Sequence, residues 1–181
     1  MIVTLESLVD LHKIIPKLVI DVGGYNGDYA DIINKKFDCE IIIYEPILAY
    51  YSKISERFKN DKNIHVVPVA ASRKTGVRKM YVSEVASSFF QSWNQSTKTE
   101  DVSTVRLSDE IQEKKVDILK LNCEGAEYEI IDDLDEHNLL KDIDEILVQF
   151  HKVMRREKTE ATLSKTHEKV FDFKWQLWVK K

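Results

Sequence analysis

The stretch LVIDVGGYNGDYADII, residues 18–33, decides the fold class of this chain. It opens with an apolar run over 17–22 that predicts a buried strand, and it closes with the helical pattern of residues 27–37. Three glycines lie between the two, and glycine adopts turn conformations that are closed to other residues. The stretch therefore predicts a strand, a tight turn that lets a small ligand approach the backbone, and a helix.

The rest of the chain repeats this alternation of short apolar runs with amphipathic segments. Further strands are predicted at 40–45, 63–70, 116–123 and 145–151, and further helices at 47–58 and 126–136. Strands of this kind, alternating with helices, are typical of a parallel α/β sheet covered on both faces. Pro68 places the end of the third strand at an edge or a bulge, because proline cannot donate to a central ladder. The aromatic tail, 169–181, predicts a strand or a tight antiparallel pair that closes the sheet edge.

The composition predicts a single domain over residues 1–181, either alone or as part of a larger protein. With a formal net charge of −4, the chain lacks the basic surface that general binding to nucleic acid or acidic membranes requires. Cys39 and Cys123 match no metal-ligand spacing and suit free thiols in a reducing compartment, so we expect a cytoplasmic location. No apolar stretch approaches the roughly 20 residues of a membrane span, and the N-terminus does not resemble a signal peptide.

Residues 83–104 interrupt the pattern with a segment rich in Ser, Thr, Gln and Asn. Phe89, Phe90 and Trp93 lie inside it. Long irregular segments with embedded aromatic residues are often functional, so this one is either a solvated loop or a wall that binds an acceptor molecule.

The glycine turn stands where parallel sheets bind ligands, beyond the carboxyl ends of their strands. The G-x-G-x-x-G fingerprint of NAD-binding proteins does not match, because the glycines follow the spacing G-G-x-x-G, and no G-K-[ST] indicates a P-loop. Asp21 closes the first strand, and Glu45 closes the second, where an acid accepts hydrogen bonds from ribose hydroxyls. This arrangement favours S-adenosylmethionine as the cofactor, with a dinucleotide as the alternative.

The segment DILKLNCEGAEYEII, residues 117–131, resembles the LKIDVEGAE signature of the FkbM-type methyltransferases, a family of S-adenosylmethionine-dependent O-methyltransferases. Further motifs follow in the family's order: VIDVGGYNGDYA resembles its cofactor loop, IYEP its ribose strand, VPVAASRKTG its adenine-side turn, ASSF its serine pair, and VSTVRLSDEI the segment before the signature. The resemblance covers roughly residues 18–151. It implies a Rossmann-like class I methyltransferase fold with a mostly parallel seven-stranded sheet, an antiparallel C-terminal edge strand and helices on both faces.

The arrangement and the resemblance together predict the ligand contacts. The methionine end of the cofactor is assigned to Asp21, Gly23, Gly24 and Tyr25, the ribose to Glu45, the adenine to Ala70 and Ala71, a further cofactor contact to Asn122, and the acceptor pocket to Ser87, Ser88 and Trp93. Asn122 stands where the family often has Asp, and Gln149 stands where E-x-H is common. Each exchange removes a negative charge, which argues against a charged base or a metal ligand at either position. No metal ion is predicted.

Glu124 and His151 are the candidate general base. A hydroxyl acceptor must lose its proton during methyl transfer, and a positioned base typically contributes about 10²–10⁴-fold. Glu124 follows the fourth strand and His151 ends the fifth, so the two can share that proton. The alternatives are a structural acid at a helix N-terminus and a partly buried, hydrogen-bonded ring. Glu127 is expected to serve packing or pairing, and the basic cluster 154–158 is either a solvated helix face or a phosphate-binding group.

The expected function is transfer of a methyl group from S-adenosylmethionine to a hydroxyl. The resemblance favours a sugar of a glycan, or another small hydroxyl compound, as the acceptor. An amino-group acceptor is disfavoured, because the N/D-P-P-Y/F clamp of such enzymes is replaced here by NCEG, residues 122–125. The alternatives are an NAD-type oxidoreductase and a cofactor-binding module without activity.

Overall fold

The structure, a computed structural model, describes residues 3–83, 87–90, 97–151 and 155–181. The main sheet contains β1 (Leu18–Val22), β2 (Glu40–Tyr44), β3 (Ile64–Val67), β7 (Val116–Leu121), β8 (Ile143–Val148), β9 (His167–Asp172) and β10 (Gln176–Lys180). These seven strands lie in the order β3-β2-β1-β7-β8-β10-β9. The run from β3 to β8 is parallel throughout, as the alternation of apolar runs and helices predicts. The Rossmann-like fold class is confirmed.

The C-terminal strands form the predicted antiparallel pair, although the last of them is not the edge strand. β10 is antiparallel to both β8 and β9 and lies between them. Burial explains the order. Gln176, Leu177 and Trp178 are buried in succession, as in a strand that has a neighbouring strand on each side. In β9, by contrast, covered and exposed residues alternate. The prediction that the C-terminal strand is itself the edge strand is therefore wrong. The edge strand is β9, and β10 lies one position inside it.

Helices cover both faces of the main sheet. One face carries α1 (Leu5–Val9), α2 (Asp28–Phe37) and α3 (Leu48–Arg57), and the other carries α4 (Leu107–Ile111), α5 (Glu127–Glu136) and α6 (Arg156–Leu163). Successive residues of β1 alternate between the two cores, with Val19 on the α2 side and Leu18 and Ile20 on the α5 side. All five residues of β1 are buried as a result, which explains why Asp21 is the one polar residue in its sequence LVIDV. Within the described ranges, no helix has the length and apolarity needed to cross a membrane.

A second sheet corrects two predictions. It contains β4 (Ala70–Ser72), β5 (Gly76–Tyr81) and β6 (Thr99–Arg106) in the order β4-β6-β5. The single strand predicted at 63–70 is divided, because the chain leaves the edge of the main sheet at Pro68 and pairs anew with β6. Residues 99–104, assigned above to an irregular segment, form most of β6 and pair with β5.

Candidate active site

A cleft of about 770 Å³ opens at the carboxyl ends of β1, β2 and β7. Its wall is formed by the glycine turn, by the residues after β2 and β7, and by the small sheet with the segment 87–90 between β5 and β6. The lining residues are Val22, Gly23, Tyr25, Tyr44, Glu45, Pro46, Ile47, Tyr50, Ala70, Ala71, Met80, Ser83, Ser87, Phe89, Asn122, Cys123, Glu124 and Ala126. This position is where open α/β sheets bind their ligands.

The glycine turn brings the chain close to the end of β7. Gly23 has φ +85°, and a Cβ built on it would lie 2.1 Å from the carbonyl oxygen of Asn122. Its N–H donates to the carbonyl of Tyr44 at 3.0 Å, so the turn is anchored to β2. Gly24 is required for a different reason, because its Cβ would meet Cγ2 of Ile43 at 2.3 Å. Gly23 therefore faces the cleft, while Gly24 packs beneath it and does not line the wall.

Glu45 lies on the cleft wall as a buried acid held by backbone donors. Its Oε2 accepts the N–H of Tyr25 and its Oε1 accepts the N–H of Ile47, both at 2.9 Å. Burial raises the pKa of this carboxyl, and the two backbone donors oppose the rise. Each carboxylate oxygen has a further lone pair, so Glu45 can still accept a hydroxyl from a ligand. The predicted ribose contact is geometrically available.

Tyr25 extends the wall beside Glu45. The residue has φ +50°, unusual for a residue with a side chain, and its ring packs on Tyr50 with centroids 4.9 Å apart. Both rings line the cleft, although sequence reasoning identified only Tyr25. Tyr50 belongs to α3, and its partly covered position gives no distinctive signal in the sequence.

Ala70 and Ala71, assigned to the adenine, both lie on the cleft wall at the start of the small sheet. The surrounding wall is apolar. Its members there are Ile47, Met80 and Phe89. An aromatic base can lie against an apolar surface of this kind without leaving a polar group of the protein unpaired.

Asp21 does not reach the cleft wall. Its side chain is fully buried beneath the glycine turn, where Oδ1 accepts the ammonium of Lys120 at 2.7 Å. Burial raises the pKa of Asp21, and the charge of Lys120 counteracts this. The second oxygen, Oδ2, has no partner among the described residues. Sequence reasoning missed Lys120, since a lysine inside an apolar strand is normally read as facing solvent.

Glu124 and His151, the predicted base, are brought together by the structure. Nε2 of His151 lies 3.2 Å from Oε1 of Glu124, and Nδ1 lies 2.9 Å from Oε1 of Glu127. Only Glu124 lines the cleft, and it lies at the end of β7 with φ +51°. The imidazole therefore stands behind the carboxylate, on the side away from the cleft.

The surroundings of His151 favour its protonated form. Burial lowers the pKa of the ring, but hydrogen bonds to Glu124 and Glu127 outweigh it and raise the pKa to about 9. Glu127 is fully buried and accepts four donors: the ring of His151, the backbone N–H of His151 at 2.7 Å, the N–H of Gly125 at 2.7 Å, and the thiol of Cys123 at 3.5 Å. The pairing expected for Glu127 is thus present, and its partner is the histidine. At neutral pH the imidazolium holds its proton, which leaves Glu124 as the group able to accept one.

The two serines occupy different positions. Ser87 lines the cleft, and its hydroxyl donates to the carbonyl of Ser83 at 3.0 Å. Ser88 is buried, and its hydroxyl donates to the carbonyl of Glu124 at 2.7 Å. The contact of Ser88 in the structure is therefore with the backbone of the candidate base. Trp93, the third residue assigned to the acceptor pocket, lies outside the described residues.

The thiol of Cys123 and the two arginines of the basic cluster have partners in the structure. Cys123 lines the cleft as a thiol whose pKa is raised, first by burial and then by Glu127. In the basic cluster, Arg155 donates to Asp132, and Arg156 contacts Glu160 at 2.6 Å, as in a solvated helix face. Over the described ranges, no three His, Cys, Asp or Glu side chains are placed to hold a metal ion.

The family model described as the methyltransferase FkbM domain matches residues 21–174. The chain belongs to the FkbM methyltransferase family. No curated protein sequence matches it significantly. Among solved structures, it is similar to Sp1610 of Streptococcus pneumoniae, a proposed tRNA (m1A22) methyltransferase, in complex with S-adenosyl-L-methionine. The TM-score is 0.60 at 11% identity, over 99% of this chain and 73% of that one.

Two further solved structures show the same fold. Precorrin-6y C5,15-methyltransferase of Geobacter metallireducens GS-15 has a TM-score of 0.54 at 11% identity, over 97% of this chain and 88% of that one. N-methyltransferase NodS of Bradyrhizobium japonicum WM9 has a TM-score of 0.54 at 8% identity, over 97% of this chain and 92% of that one. These neighbours share the fold with the FkbM-family chain and leave its acceptor open.

The cofactor of this FkbM methyltransferase is S-adenosylmethionine, and the dinucleotide alternative falls away. The residues of the cleft fit it. Oδ1 of Asn122, buried at the wall, has no partner among the described residues and can accept from the ammonium of the methionine end. At Gly23, a Cβ would crowd the same edge of the wall. Asn122, at the position where the family often has Asp, therefore still provides a hydrogen-bond acceptor.

Proposed function

We propose that this FkbM-family methyltransferase transfers a methyl group to a hydroxyl, with a sugar of a glycan as the acceptor. The observation that carries the proposal is the carboxylate of Glu124 on the cleft wall, backed by His151. A hydroxyl is too weakly acidic to ionise at neutral pH, so it needs a proton acceptor within hydrogen-bond reach.

When bound, S-adenosylmethionine supplies an electrophilic methyl group on a sulfonium. Glu124 accepts the hydroxyl proton as the new oxygen–carbon bond forms and the carbon–sulfur bond breaks. His151 donates its Nε2–H to the other side of the carboxylate and fixes its orientation. Ser88 supports the same residue from behind through the carbonyl of Glu124. The protein therefore contributes mainly position and a proton acceptor.

The sugar is favoured by the family resemblance rather than by a contact in the cleft. Two features are compatible with it. Hydroxyl and carboxylate groups for hydrogen bonding are available from Ser87 and Glu124, and the rings of Tyr25 and Phe89 lie on the same wall. The sequence NCEG at 122–125 supports a hydroxyl over an amine, since it places an acid where amino-group enzymes carry N/D-P-P-Y/F. Cys39 and Cys123 are both free thiols, which supports the proposed cytoplasmic location.

The test is methyl transfer from isotopically labelled S-adenosylmethionine to four acceptor pools: free sugars, glycans, protein and RNA. Label on sugars or glycans, released with the sugar after acid hydrolysis, is the expected result. Label on RNA or protein alone would overturn the proposal. Binding of S-adenosylhomocysteine without transfer to any pool would favour the remaining alternative, a cofactor-binding module without activity.

A further inference from the structure

A buried ammonium lies directly under the glycine turn. Lys120 on β7 stands opposite Asp21 on β1 in the parallel ladder. Its Nζ lies 2.7 Å from Oδ1 of Asp21 and 2.7 Å from the carbonyl oxygen of Gly23. The side chain of Lys120 is 4% exposed and that of Asp21 is 0% exposed.

An apolar side chain would be the ordinary choice at this position. The neighbours of Lys120 in β7 are apolar, and burying an ammonium is costly unless it is paired and hydrogen-bonded. The chain compensates with one carboxylate and one backbone carbonyl. Neutralising Asp21 accounts for the first contact only, so the second contact calls for a separate explanation.

A polar layer on the α2 face fixes the ammonium in place. The ring of Tyr29 lies beside Lys120, with Nζ 5.7 Å from the ring centroid. The hydroxyl of Tyr29 pairs with Nε2 of His12 at 3.0 Å, and Nδ1 of His12 pairs with Glu145 at 2.5 Å. With its neighbours held in this way, Lys120 has little room to leave the Gly23 carbonyl.

The two hydrogen bonds of Gly23 define the shape of the turn. Its N–H donates to the carbonyl of Tyr44 at the end of β2, and its carbonyl accepts a hydrogen bond from the ammonium of Lys120. Because the peptide group is planar, fixing this carbonyl also fixes the peptide plane that joins Gly23 to Gly24. That plane sets the direction in which the chain continues to Tyr25, the next residue on the cleft wall.

We propose that Lys120 is a positioning residue for S-adenosylmethionine, whose ammonium holds the Gly23 carbonyl and so keeps the turn in the shape that receives the methionine end of the cofactor. This role is distinct from the neutralisation of Asp21. It rests on the cofactor lying against the glycine turn, and it does not depend on which acceptor is methylated.

Three variants separate the two roles: Lys120→Met, Asp21→Asn and the double variant. The dissociation constant of S-adenosylhomocysteine is measured by calorimetry well below each melting temperature, and melting is followed separately. Lys120→Met leaves Asp21 buried and unpaired, so both melting temperature and affinity should fall. The double variant should recover much of the melting temperature but bind at least tenfold more weakly than Asp21→Asn alone.

The comparison of the double variant with Asp21→Asn decides the question even if Lys120→Met fails to fold. Affinities within twofold of each other would overturn the proposal and leave Lys120 as a counter-charge only. His167→Asn is the control, because it removes a buried hydrogen bond, between Nε2 of His167 and the carbonyl of Ile143, on the edge strand β9 and away from the glycine turn. It should lower the melting temperature while leaving the affinity unchanged; a parallel loss of affinity there would also overturn the proposal. A parent protein that binds S-adenosylhomocysteine but methylates no sugar would refute the proposed acceptor without touching this inference.

Discussion

His151 and Glu124 approach to 3.2 Å between Nε2 and Oε1, and only the glutamate reaches the cleft. Glu127 contacts the other ring nitrogen of His151. In the proposed mechanism the imidazolium would therefore act through Glu124 and not by contact with an acceptor.

Replacing Glu124 with Gln should lower kcat by about 10²–10³-fold, because the amide cannot accept the hydroxyl proton. The dissociation constant of S-adenosylhomocysteine should change less than threefold, since no cofactor contact is assigned to this side chain. Steady-state kinetics on the methylated acceptor, together with calorimetry, measure both. Glu136→Gln is the control, because that glutamate pairs with Arg73 on the surface at the far end of α5. Full activity in Glu124→Gln would remove Glu124 from the mechanism and leave the family assignment intact.

The stability of the protein should depend on the protonation of His151. Its folded-state pKa is about 9, above the unfolded value of about 6.5. A raised pKa means that the folded state holds the proton more tightly. The stabilisation is therefore complete below about pH 6.5 and is lost as the pH rises through 9. The melting temperature of the parent should fall more steeply from pH 7 to pH 9.5 than that of His151→Gln. Parallel curves, or an NMR titration midpoint of His151 near 6.5, would contradict this.

Gly23→Ala should destabilise the protein by about 3 kcal/mol or more, and any folded fraction should bind S-adenosylhomocysteine weakly. The new Cβ would lie 2.1 Å from the Asn122 carbonyl, and the φ of +85° disfavours any side chain. Gly76→Ala separates the two causes. Gly76 also has a positive φ, but nothing lies within 4 Å of its Cβ position, so a loss of about 1 kcal/mol is expected. Urea unfolding gives both values, and equal losses would mean that the close approach to Asn122 has no energetic importance.

Ser88→Ala should lower kcat about tenfold and cost about 1 kcal/mol of stability, because the carbonyl of Glu124 loses its donor. Ser87→Ala is the matched control for the stability term, since among the described residues the hydroxyl of Ser87 bonds locally, to Ser83. If Ser87 contacts the acceptor, its substitution should raise KM instead. The split between kcat and KM therefore tells a residue that positions the base from one that binds the acceptor.

The parallel core of the fold could be predicted from the sequence because its strands are short, mainly apolar and separated by amphipathic helices. Pro68 also marked correctly where the third strand leaves the main sheet. Two features were not accessible in this way. β6 consists largely of Thr, Glu, Asp and Ser, a composition that resembles a loop until its partner strand is known. The insertion of β10 between β8 and β9 depends on which side of the pair is buried, and the sequence pattern allows either order.

The site was predictable where a motif fixes the backbone and less so where side chains meet across elements. Glu124 and His151 were paired from the expected adjacency of their strands. Lys120 was overlooked, and Glu127 was given only a packing or pairing role with no named partner, because each lies within a motif whose residues were interpreted by position: one as part of a strand, the other as a helix acid. Their importance follows from burial, which a single sequence does not reveal.

The place of β10 in the sheet has a consequence for how the chain is made. β8 and β9 are both synthesised before residues 176–180, yet until those residues leave the ribosome β8 is paired only with β7 and β9 has no neighbouring strand. Until then, the backbone edge of β8 stays open beside the apolar side chains of Ile146 and Leu147. The nascent protein should therefore be vulnerable to aggregation, and dependent on chaperones, until residues 176–180 are available to cover this edge.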